Sequence, residues 1–87
     1  ASYKEAVEKQ LNYFQQELQE DLVRLESMNN SKMAHPDLVA KAITQLVFNM
    51  GAKLINMPNE NRKLVAEQTM VMIRMILEGA RNIKENK

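Results

Sequence analysis

From Val7 to Leu25 the apolar residues Val7, Leu11, Phe14, Leu18, Leu22 and Leu25 recur at intervals of four, three, four, four and three. Only an α-helix gathers such positions on one side, because a strand repeats every two residues. On a helix they occupy a stripe about 80° wide, and the rest of the surface is Lys, Glu, Gln and Asp. A narrow seam on a long polar helix packs along one line, as in an antiparallel hairpin or a coiled coil. Tyr3 and Met28 close the stripe, and Ser2 with Glu5 has the spacing of a capping box, which predicts a helix over residues 3–28.

Two prolines divide the remainder. Asn29, Asn30 and Ser31 compete with helix backbone through their side chains, and the break they begin extends to His35. Pro36 disfavours helical geometry at His35 but suits the first turn of a new helix, where Asp37 meets the positive end of the dipole. The second helix is predicted over 36–56. Its main stripe is Val39, Ile43, Leu46, Val47, Met50 and Leu54. A second strip holds Phe48 and Ile55, with Gly51 and Ala52 between them. A helix apolar on two sides sits between two neighbours, and Gly51 is expected to permit a close crossing. Asn59 is the expected cap of a third helix over 60–84. Its core face is Val65, Met72, Ile73, Ile76, Leu77, Ala80 and Ile83. Lys63, Glu67, Arg74, Glu78, Arg81 and Glu85 form a solvated face of i,i+4 pairs.

These segments predict an all-α fold in one domain, 1–87: an antiparallel three-helix bundle, or a hairpin plus a helix. The helices are long for so short a chain. About 27 residues of helix extend about 40 Å, whereas a compact globule of this length has a radius of gyration of about 12 Å. A lone chain is therefore a rod with much of its flank exposed. The apolar run from Leu64 to Leu77 is too short to span a bilayer and contains Glu67 and Arg74. With no basic leader ahead of an apolar run, cytoplasmic residence is the expectation.

The chemistry of the side chains narrows the function. There is no Cys and one histidine, His35. Ser31 lies near His35, but a polar connection between helices accounts for both, and His35 with Asp37 offers two ligands where zinc takes three or four. Glu17, Glu20 and Asp21 lie on neighbouring turns without the Glu-x-x-His of di-metal bundles. Two isolated glycines cannot build a phosphate-binding loop. No catalytic residue, metal ligand or cofactor is expected.

Two readings remain. Phe48, Ile55, Leu64, Val71 and Met75 lie off the main core faces of the second and third helices. The narrow stripe of the first helix covers one groove, not two, and soluble monomers rarely leave such a patch open. Methionine, present seven times, is also common on adaptable binding surfaces. The chain therefore reads as a small non-enzymatic interaction or regulatory protein that forms a homodimer, with another protein as a further partner and no membrane contact. The alternative is a nucleic-acid-binding regulator. Residues 1–35 hold four basic and six acidic groups, and residues 36–87 hold eight basic and five acidic. Arg62, Lys63, Arg81 and Lys84 on the third helix would make the contact. Against that, the charges alternate in sign and the pI of about 8.3 is low for a dedicated binder.

Overall fold

The computed structural model describes residues 2–83 and is helical: α1 spans Ser2–Met28, α2 Pro36–Leu54 and α3 Asn59–Asn82. No strand occurs among the described residues. α2 packs against both other helices, whereas no Cα of α1 comes within 8 Å of a Cα of α3. The sandwiched position expected of the second helix is thus present, and α1 does not wrap around the pair.

The connection from α1 to α2 is built by backbone chemistry. Asn30 takes the left-handed conformation (φ 55°). The Asn30 amide donates to the Ser27 carbonyl and the Ser31 amide to the Glu26 carbonyl, at 3.2 and 2.9 Å. This is the pair of bonds by which a helix end satisfies its last carbonyls. The chain then runs through Met33 and Ala34, both buried. His35 is also left-handed (φ 54°), and its carbonyl accepts from the Leu38 and Val39 amides at the start of α2. Pro36 occupies the first turn, where its missing N–H costs no hydrogen bond.

Several boundaries differ from expectation. Ser2 is itself helical rather than the residue ahead of the helix. α2 stops at Leu54, two residues short of 56, and Ile55 lies in the turn. Gly51 marks no close crossing: a methyl group added there would meet nothing within 4 Å. Pro58, in extended geometry (φ −56°, ψ 145°), takes the cap position of α3, and Asn59 is already inside the helix. Proline favours that geometry intrinsically. The Asn61 amide bonds to the Pro58 carbonyl, and the Arg62 guanidinium Nε donates to the Met57 carbonyl at 3.0 Å.

The core is small and lies toward one end. Leu22 of α1, Met33 of the connection, Val39, Ala40 and Ile43 of α2 and Ala80 of α3 form its centre, with Leu18, Ile73, Ile76 and Leu77 packed around them. The second half of α1, the first half of α2 and the second half of α3 supply these residues. Toward the opposite end burial falls away: Tyr3, Phe14, Phe48, Ile55, Leu64 and Val71 are all exposed. Ile83, placed in the core face by its spacing, is exposed just past the end of α3.

Overall dimensions follow from this incomplete closure. The radius of gyration is 15.1 Å, with extents of 45 × 34 × 23 Å, against about 12 Å for a compact chain of this length. The accessible surface is 7084 Å², whereas a folded monomer of 10.1 kDa exposes about 5,300 Å².

Candidate interaction surface

An apolar groove of about 480 Å³ lies between the first half of α1 and the second half of α2. Tyr3, Val7, Leu11 and Phe14 line it from α1, and Thr44, Val47 and Phe48 from α2. The α1 members belong to the same stripe that supplies Leu18 and Leu22 to the core. The groove is therefore that seam continued past the point where the chain has side chains to fill it. Thr44 is buried (3% exposed), and its hydroxyl has no hydrogen-bond partner. The contrast with Thr69 is instructive, since that hydroxyl donates to the Val65 carbonyl one turn back at 2.7 Å.

A second open apolar face lies on α3. Leu64, Val71 and Met72 line it together with Glu67 and Gln68, and Met75, 65% exposed, is one turn beyond Val71. All five residues expected at an interface are exposed: Phe48, Ile55, Leu64, Val71 and Met75. They do not form one continuous strip. Phe48 belongs to the α1–α2 groove, Leu64 and Val71 to the α3 face, and Ile55 to the turn joining α2 and α3.

The basic residues are dispersed. Arg62 is tied back to the Met57 carbonyl, Lys63 is exposed one residue on, and Arg81 is eighteen residues further along α3, a separation of about 27 Å. Lys84 lies outside the described residues. Arg81 does not stand on a purely solvated face. Its Nε and Nη2 both donate to Glu26 Oε1, at 3.0 and 2.9 Å. Its expected partner, Glu85, lies outside the described residues. The pairs Lys63–Glu67 and Arg74–Glu78 are not formed; among the described residues the ion pairs are Arg24–Asp21 and Arg81–Glu26.

Glu26 is the one polar cluster that the sequence reading missed. It is 3% exposed, at the last turn of α1. Ser31 donates its hydroxyl to Oε2 while Arg81 holds Oε1. The Ser31 hydrogen bond first, and then those from Arg81, hold the carboxyl below its ordinary range, and burial opposes them. The cluster fixes the α1–α2 connection and joins the ends of α1 and α3. It also engages Ser31, so that residue is not a partner for His35. What the cluster offers chemically is a structural clamp: a carboxylate kept ionised and neutralised in place.

No protein-family model matches the chain, and no solved structure matches it.

Proposed function

We propose that the chain is a small non-enzymatic interaction protein that works as a homodimer of antiparallel three-helix units, its regulatory action exerted through protein contacts. The observation that carries this reading is the accessible surface. At 7084 Å² it exceeds that of a typical folded monomer of this mass by roughly 1,800 Å², and the excess includes two apolar faces. Stable homodimers commonly bury 2,000 Å² or more in total, so a twofold contact would absorb such an excess. Short connections between the helices favour antiparallel neighbours.

The test is sedimentation at micromolar concentration. A mass twice the 10.1 kDa of the chain is the expected result, and a monomer throughout the range overturns the reading. Replacing Phe48 and Val71 together with Glu should reduce the mass to that of one chain while far-UV circular dichroism keeps its helical form.

The alternative, nucleic-acid recognition by Arg62, Lys63, Arg81 and Lys84, has weaker support. Arg81 is neutralised by Glu26, and Arg62 is tied back to the Met57 carbonyl. Titration against duplex DNA across a salt series decides it. A recogniser of phosphates binds at low salt and weakens steeply as salt rises.

A further inference from the structure

We propose that in the homodimer the Leu64–Val71–Met75 face of α3 lies in the α1–α2 groove of the second copy, and reciprocally, so that each protomer closes the open end of the other. This rests on the homodimer reading and adds which surfaces meet.

Three observations converge on that pairing. Within one chain α1 and α3 meet through Arg81 and Glu26 at the core end, and no Cα of one comes within 8 Å of a Cα of the other, so the groove beside the first half of α1 is left without a third helix to cover it. The two faces match in length. Tyr3 to Phe14 along the groove and Leu64 to Met75 along α3 each span eleven residue steps, about 17 Å of helix. They also match in pattern, since Tyr3, Val7, Gln10 and Phe14 repeat the four-three-four spacing of Leu64, Gln68, Val71 and Met75. Both are thus straight stripes on one side of a helix.

The half of α1 that lines the groove carries Lys4, Glu5, Glu8 and Lys9, so no net charge opposes the approach of α3. The contact also covers Phe48 from the groove side and Leu64 and Val71 from the helix side, so it removes both apolar faces from water in one interface.

The absence of native cysteine permits a direct test by cross-linking. Gln10 and Gln68 are exposed polar residues near the middle of the two stripes, so they approach each other whichever way α3 runs along the groove. Gln10→Cys and Gln68→Cys chains, one carrying a mass tag, are refolded together and treated with a short bis-maleimide. The expected result is a mixed cross-linked dimer several-fold more abundant than the cross-linked product of either variant alone. If Gln10→Cys couples to itself as well as to Gln68→Cys, α1 pairs with α1 and the proposal is wrong. If the protein sediments as a dimer but no mixed product forms, the proposal fails while the homodimer stands. A monomer by sedimentation removes both. Circular dichroism of each variant confirms that the helices are intact before the cross-linking is read.

Discussion

Glu26 and Thr44 are both buried polar residues, and they behave in opposite ways. Glu26 has donors on both carboxyl oxygens, so its charge is matched. Its carboxyl is held below the ordinary value of about 4.5. Stability from this group is therefore fully present above that value and is lost as pH falls through the lower value of the folded state. Thermal melts of the wild type and Glu26→Gln should differ by a constant amount above about pH 5, with the gap closing in acid. A gap that is unchanged at low pH would contradict the clamp. Thr44 is the reverse case, a buried hydroxyl with no partner. Replacing it with isosteric valine removes an unmet hydrogen bond, so Thr44→Val should be neutral or stabilising by up to about 1 kcal/mol in denaturant melts. The signal for Glu26 was in the sequence, four residues after Leu22 on the line from Leu18. Its partner Arg81, 55 positions away, was not, because local spacing carries no information on contacts across the fold.

At the level of elements, each helix is held by a different part of its surface. α2 contributes Val39, Ala40, Ile43 and Thr44 to the interior, a face turned partly away from the stripe through Val47. That rotation arises because α2 serves two neighbours at once, and periodicity alone reports only a mean apolar direction. Leu22, the buried residue of α1 in the core, should be the most costly position on that helix. Leu22→Ala is expected to lower stability by about 3 kcal/mol in urea unfolding. The two glycines are the counterpart. Gly51 and Gly79 are helical, and an added methyl would meet nothing within 4 Å of either. Gly51→Ala and Gly79→Ala should each raise stability by roughly 1 kcal/mol, through the restricted unfolded chain and better helix propensity. A loss at Gly51 would indicate the close crossing that its sequence context suggested.

The whole molecule is defined by a small core at one end and apolar surface left open along all three helices. A chain that completes itself through a second copy has stability coupled to concentration. Calorimetric melting temperature should accordingly rise by several degrees between roughly 1 and 100 μM, and Phe48→Glu with Val71→Glu should remove that dependence. A melting temperature independent of concentration in the wild type would mean that the open end is tolerated by the single chain. The long-helix argument anticipated this shape: a radius of gyration of 15.1 Å is that of an elongated chain.

What the sequence determined by itself is helical and local. The four-three spacing from Val7 to Leu25, the break at Asn29 to His35 and the prolines at 36 and 58 specify three helices, because periodicity and backbone restriction act over a few residues. The tertiary structure decided the rest. It buried Met33 and Ala34 in a connection that reads as polar, paired Arg81 with Glu26, and left the seam of α1 uncovered from Tyr3 to Phe14. Those outcomes depend on how far each helix extends past its neighbour. Helix length and crossing position set that overhang, and no short stretch of sequence encodes it.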